Sequence, residues 1–196
     1  MPYASRGAKR PRPHARGRFA PSHGDAPVIT RRSLFVAGGS ALALAGCETA
    51  QVTADGRFPI MDVLGIVPEV SDFRSALRRA DLADLLNSPG PFTVFAPTNL
   101  AWGGAPASFR DGGAASLRNL IAGGRLGLRD IQARGGRVRM LSGIDIRVVG
   151  GTPTEPRIQA ARAGAAPSGA SASVVRPNIL CSNGFIHVIG GVLIPA

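Results

Sequence analysis

The apolar run Leu34 to Ala45, LFVAGGSALALA, ends two residues before Cys47, and that placement decides how the rest of the chain must be held together. Twelve residues rise about 18 Å as a helix, against roughly 30 Å of bilayer hydrocarbon, so the run is too short to span a membrane. Arg31-Arg32 precede it and a polar stretch follows. A basic flank, a short apolar stretch and small residues at its end describe a secretory signal. If Cys47 belongs to the processing of that signal, Cys181 is the one cysteine left. No intrachain disulfide is then available outside the cytoplasm, and stability has to come from packing.

Leu44-Ala45-Gly46-Cys47 resembles a bacterial lipobox, in which the Cys thiol receives a diacylglyceryl group and becomes the new N-terminus. The alternative is an ordinary signal with an unrelated cysteine. Thr30-Arg31-Arg32-Ser33-Leu34-Phe35 resembles a twin-arginine export signal, and Gly38, Gly39 and Ser40 dilute the apolar run as that route favours. A general secretory signal whose basic end contains two arginines is the alternative. The expected organisation is a signal region over 1–46, a polar tether over 47–57 and a domain over 58–196. The expected address is exported and membrane-anchored, on the periplasmic or cell-surface side, with membrane lipid as a partner through acylated Cys47.

The net charge of +11 mostly describes the leader. Residues 1–46 carry 8 basic residues against one acidic, whereas 47–196 carry 15 against 11. The arm from Arg6 to Arg18 has the charge of a nucleic-acid tail but no interleaved aromatics for stacking, and it precedes an export signal. Nucleic acid is therefore not an expected partner. Residues 1–27, rich in Pro, Gly and Arg, read as disordered, and a start at Val28 would give a compact leader. The remaining 150 residues suffice for one domain with its own core.

Within that domain, Val63, Leu64, Val67, Phe73, Leu77 and Ala80 recur at helical spacing. Ser71 is placed to cap the helix carrying Phe73, with Asp72 in its first turn. Leu82, Leu85 and Leu86 continue the helical pattern until Asn87-Ser88-Pro89-Gly90. Phe92 to Ala96 reads as a strand stopped by Pro97. Leu117 to Ile121 reads as helical. Gly135-Gly136 opens a hairpin, with Val138 and Met140 on one face and a turn at Ser142-Gly143. Ile144, Ile146 and Val148 then alternate with Asp145 and Arg147 as a half-buried antiparallel strand. Gly164 to Ser173 reads as a flexible surface loop. The chain closes with the apolar stretch Phe185 to Ile189, a Gly190-Gly191 break and Val192 to Pro195. The class is α+β.

Gly90-Pro91-Phe92-Thr93-Val94-Phe95-Ala96-Pro97-Thr98-Asn99-Leu100-Ala101-Trp102 resembles the first signature block of the fasciclin domain, and Asn183 to Pro195 resembles its last. The resemblance covers about Phe58 to Ala196. It implies an antiparallel-rich sheet or wedge packed with several short helices. It also implies adhesion or binding, to a matrix, a neighbouring cell or an envelope partner. Phe95, Pro97, Thr98, Asn99, Asn183, Gly184 and His187 are the block residues expected to be structural. Thr98 or Asn99 offers a capping oxygen, Asn183-Gly184 makes a tight turn, and Gly190-Gly191 permits a bend. Many family members carry a Tyr-His pair associated with adhesion where this chain has Arg118-Asn119, and Asn99 stands where an acidic residue is usual.

The chemistry-bearing residues are few. After Cys47 there is one histidine, His187, and one cysteine, Cys181, six positions earlier. A Cys-His pair is the minimum for acyl transfer, but this histidine lies in an apolar strand within a family block. One His and one Cys do not make a closed metal-ligand set, and Asp72, Asp81 and Asp84 read as exposed helix positions. No cofactor and no catalysis are expected. An accessory module that binds a small molecule or an envelope protein is the runner-up, and an enzyme using Cys181 and His187 a distant third.

Overall fold

Apolar side chains three and four apart build a helical end first. The computed structural model describes residues 55–196; the leader readings on Arg31, Arg32 and Cys47 lie outside the described residues. The helices are α1 (Ile60–Ile66), α2 (Ser71–Arg79) and α3 (Ala83–Asn87). Ile60, Leu64, Phe73, Leu77 and Leu86 face the core and are almost fully buried. Asp72 occupies the first turn of α2 and Arg78 and Arg79 its last, both favourable to the helix dipole.

Ser71 is the first residue of α2 and does not cap it. The cap comes from further along the chain. Asn99 Oδ1 accepts the Asp72 N–H at 3.1 Å, while Asn99 Nδ2 donates to the Pro68 carbonyl at 3.0 Å and the Ser71 hydroxyl at 3.1 Å. Sequence spacing has no access to such a cap, because its donor and acceptor are brought together only by the tertiary fold.

β1 (Phe92–Pro97) ends at the expected proline. Thr98 Oγ1 then accepts the Ala101 N–H at 3.2 Å and caps α4 (Asn99–Gly103). α5 (Ala107–Arg110) and α6 (Gly113–Leu117) follow. The helix expected over Leu117–Ile121 is shorter than read. A single 3₁₀ turn covers Arg118–Leu120, and Ile121 opens β2 (Ile121–Gly123), whose pairing with Val94 of β1 overrides helical propensity.

After α7 (Leu128–Ala133) come β3 (Arg137–Arg139), β4 (Asp145–Gly151), β5 (Pro156–Ala161), β6 (Ser171–Cys181) and β7 (Gly184–Ile189). The seven strands lie in the order β2-β1-β7-β6-β5-β4-β3, and only β1 and β7 are parallel. Ala122 of β2 bridges Met140 just beyond β3, and the Leu141 N–H donates to the Ile121 carbonyl at 2.7 Å. The two edges of the sheet therefore meet at one corner. The last strand, β7, is central.

On the outer strands the alternation is clean. Val138, Ile146, Ile158, Ala160, Ala172 and Val174 are buried. Arg137 and Arg147, directly opposite each other, point the other way, as do Arg139 and Arg157. Asp145 departs from its expected place on a half-exposed face. It is fully buried under two guanidinium groups, with Arg137 Nε donating to Oδ2 at 3.0 Å and Arg139 Nε 2.9 Å from Oδ1. The expected loop over Gly164–Ser173 stops at Ala170, because Ser171 pairs with Gln159.

Glycine is required at one place in the last block. A Cβ on Gly184 would lie 1.8 Å from the Phe92 carbonyl oxygen, so the β1–β7 pairing admits no side chain there. Gly190 and Gly191 lie at the expected bend, neither with a positive φ; a Cβ on Gly191 would meet Ala172 Cβ at 3.1 Å, whereas one on Gly190 would find only ordinary contact at 3.5 Å.

Candidate functional site

Of the side chains singled out by sequence, His187 reaches one loop, 124–128, which β1, β6 and β7 hold from three sides, whereas Thr98, Asn99 and Asn183 bond elsewhere. Thr93 of β1 donates its hydroxyl to the Gly124 carbonyl at 2.7 Å and accepts the Leu126 N–H at 2.9 Å. His187 of β7 reaches the Leu126 carbonyl through Nε2 at 2.9 Å. Its Nδ1 accepts the Asn178 N–H at 3.2 Å, which leaves the proton on Nε2 and fixes the tautomer. Asn178 Oδ1 in turn accepts the Leu128 N–H at 2.8 Å. Asn178 is held with φ +61 within an irregular stretch of β6. Such a bulge turns a side chain that a regular strand would aim elsewhere.

His187 is fully buried. Phe95 stacks on its ring with centroids 5.3 Å apart, and Phe185 lies on the same strand at 6.4 Å. Burial pushes the imidazole below its usual pKa of 6.5, and the bond to the Leu126 backbone opposes that shift. Both ring nitrogens are occupied by backbone groups, so the neutral ring has neither a free lone pair for a substrate proton nor a route to one.

Cys181 is not brought together with His187. It sits opposite Gly184 in the β6–β7 ladder, and its Sγ contacts the Ile179 carbonyl at 3.9 Å. Burial raises the thiol pKa to about 12, against a smaller lowering by Arg125. A thiol with that pKa is almost wholly protonated at neutral pH and a poor nucleophile. The guanidinium of Arg125 donates to the Cys181 carbonyl at 2.8 Å and lies 5.5 Å from the Phe185 ring centroid, covering the end of the network.

Asn183 does more than turn the chain. Its Oδ1 accepts the Ile60 N–H at 3.0 Å, and its Nδ2 donates to the carbonyls of Leu86 at 2.7 Å and Ser88 at 2.8 Å. One side chain thus ties the start of α1 and the end of α3 to the last hairpin. Pro97 is buried at the end of β1, Asp72 and Asp84 are exposed on helices as expected, and Asp81 is exposed but lies in the turn between α2 and α3 with φ +54. The dipeptide Arg118-Asn119 lies in the 3₁₀ turn, with Arg118 exposed.

Two features escaped the sequence reading. One is a cavity of about 390 Å³ beside α2 and α6, with Trp102 among its lining and Arg79, Arg110 and Asp111 as its charged groups. The other is the outward face of β3 to β5 with its buried carboxylate. Among the described residues no group of three or more His, Cys, Asp or Glu is placed to hold a metal ion, and no helix is long and apolar enough to cross a membrane.

Comparison with known proteins places this geometry. The model for the fasciclin domain matches residues 68–195. The chain is 28% identical over 186 residues to protein sll1483 of Synechocystis sp., covering 86% of this chain and 94% of that protein. It is 29% identical over 154 residues to human stabilin-1, covering 72% of this chain but only 5% of stabilin-1. Among solved structures it is similar to a FAS1 domain pair from the insect cell adhesion molecule fasciclin I. That likeness has a TM-score of 0.57 and 22% identity over 70% of this chain and 51% of the other, and shows the fold.

Proposed function

This chain belongs to the fasciclin-domain family, and from that premise we propose a binding function without catalysis: a cell-envelope lipoprotein whose domain adheres to a matrix, a neighbouring cell or an envelope component. The observation that carries the non-enzymatic part is the occupancy of His187, both of whose nitrogens are bonded to backbone, beside a thiol held near pKa 12. The block residues Phe95, Pro97, Thr98, Asn99, Asn183, Gly184 and His187 build the domain, and the adhesive surface lies elsewhere on it. Export through the Arg31-Arg32 signal and acylation of Cys47 supply the address. A single acyl chain holds a protein only marginally and two or more hold it stably, so a diacylated Cys47 suits a permanent anchor.

Cys47→Ala is expected to move the protein from the membrane to the soluble fraction, or to leave it unprocessed. Labelled fatty acid still on the Cys47→Ala protein overturns the anchor. Protease added to intact cells is expected to degrade the domain. Protection under those conditions favours the second reading, an accessory module on the periplasmic side. The cavity beside Trp102, with two arginines and one carboxylate, is the observation that favours this alternative, since a small anionic molecule or an envelope protein's side chain fits such a lining.

A further inference from the structure

The outward face of β3 to β6 carries one line of residues across four strands. Arg137, Arg147, Gln159 and Ser171 are direct cross-strand neighbours. At the usual spacing of strands that line is about 14 Å long. Arg139 flanks it on one side and Arg157, opposite Ser173, on the other. The fold accounts for Arg137 and Arg139, which hold Asp145, but not for Arg147 and Arg157. Like charges directly opposite each other destabilise a sheet, and Arg137 faces Arg147. The one carboxylate on the face, Asp145, is buried and pairs with Arg137 and Arg139. Arg147 and Arg157 are left without an acidic partner among the described residues.

We infer that this face is a docking surface for an acidic polysaccharide. The charge is spread over neighbouring strands rather than gathered in a pocket, which fits a chain of repeated anionic groups better than a single anion. Arginine forks match planar carboxylates. Gln159, Ser171 and Ser173 lie between and beside the arginines, where sugar hydroxyls need partners; Arg157 Nη2 already donates to Ser171 Oγ at 2.7 Å and Gln159 Nε2 to the Gly169 carbonyl, which leaves Gln159 Oε1 and the Ser173 hydroxyl to the ligand. The strands contributing to the face hold no aromatic residue, so the base-stacking platform of a single-strand nucleic-acid site is missing. This inference rests on the binding function proposed above and names the class of partner.

The test measures binding of the purified full chain to polygalacturonate, with neutral dextran, single-stranded DNA and vesicles containing anionic phospholipid alongside. The expected result is binding to polygalacturonate that weakens as salt is added, with dextran inert and DNA and vesicles weaker. Arg137 and Arg139 are left intact because they hold Asp145. The double variant Arg147→Gln/Arg157→Gln is expected to lose roughly thirtyfold in affinity, at the usual worth of two basic groups facing an anionic surface, with an unchanged melting temperature. Arg147→Lys/Arg157→Lys is expected to restore part of the binding, because it keeps the charge and loses the planar fork, and Asp145→Asn, which frees two guanidinium groups, to tighten it. No binding to polygalacturonate at low salt, equal binding by the glutamine variant, or equal or tighter binding to DNA or vesicles overturns the proposal. Because the assay uses purified protein, its failure leaves the protease and fractionation results standing, and their failure leaves this one.

Discussion

At the helical end and on the strands β1 and β7 beside it, Thr93, Asn99, Asn183 and His187 bond to backbone from distant stretches. On the outer strands Arg137, Arg139, Arg147 and Arg157 turn outward, and only Asp145 is drawn beneath them. Charge is also uneven along the chain. Residues 55–120 hold six arginines against seven carboxylates, and residues 121–196 nine against three. Polar atoms at the first end are already committed, so they specify the fold. At the second, Arg137 and Arg139 are committed to Asp145, but Arg147 and Arg157 keep donors for something else. The signature blocks belong to the first end, which is why a motif match identifies the family and says little about the ligand.

The comparison can be broken most directly at Asn183. Asn183→Ala removes three bonds to buried or half-buried backbone groups, and leaving such groups unpaired is expected to cost about 3–5 kcal/mol in a denaturant melt. A cost below about 1 kcal/mol would show that the helical end is not tied in this way.

His187 comes next. His187→Ala is expected to cost about 1–3 kcal/mol from unpaired backbone groups, with a further cavity contribution, while polygalacturonate binding by the folded protein stays intact. Lost binding with unchanged stability would move His187 into a site. The histidine also gives a pH signature. Its folded pKa lies below the unfolded value of 6.5, so between the two the unfolded chain binds more protons. The stability it supports is whole above about pH 6.5 and falls as pH drops below that, by up to about 1.4 kcal/mol per pH unit. Melting temperature is expected to fall from pH 7 to pH 5, and less steeply in His187→Gln. His14 and His23 are common to both proteins and cancel in the difference. Equal slopes would contradict the assignment.

Asn99→Ala removes the borrowed cap of α2 and is expected to cost about 1 kcal/mol, read as a shift in the thermal midpoint. The smallest effect belongs to Leu100, 89% exposed on α4. Leu100→Ser is expected to leave stability within about 0.5 kcal/mol. If it abolishes capture of an envelope partner in a pull-down, binding lies at the helical end after all.

Much of this fold was legible where side-chain period and local punctuation agree. β1 ends at Pro97, the β3–β4 hairpin turns at Ser142-Gly143, and α3 ends before Pro89. The reading faltered where a distant segment decides. Ile121 joins a strand because Val94 is there to pair with it. β5 and β6 were not recognised: β6 contains Pro177 and Asn178, carries two irregularities, and starts inside a low-complexity run of Ala, Gly and Ser. Asp145 alternates with core residues as a surface residue would, and only the placement of β3 beside β4 buries it under two arginines. For the site, His187 was visible as one residue in an apolar strand. Its partners Leu126 and Asn178 are backbone groups, which leave no signature in the sequence.

The central position of the final strand has a consequence for how the protein is made. A ribosome delivers β1 long before Gly184–Ile189 and β6 just before it, and until that last strand arrives both present unpaired backbone edges of the kind that promote aggregation. Asn183, which fastens the first helix, arrives at the same late moment. The domain therefore cannot complete its fold while its last dozen residues are still inside the ribosome. Machinery that exports only folded cargo has to wait for β7, whereas machinery that threads the chain has to keep β1 and β6 from wrong partners until β7 slides between them.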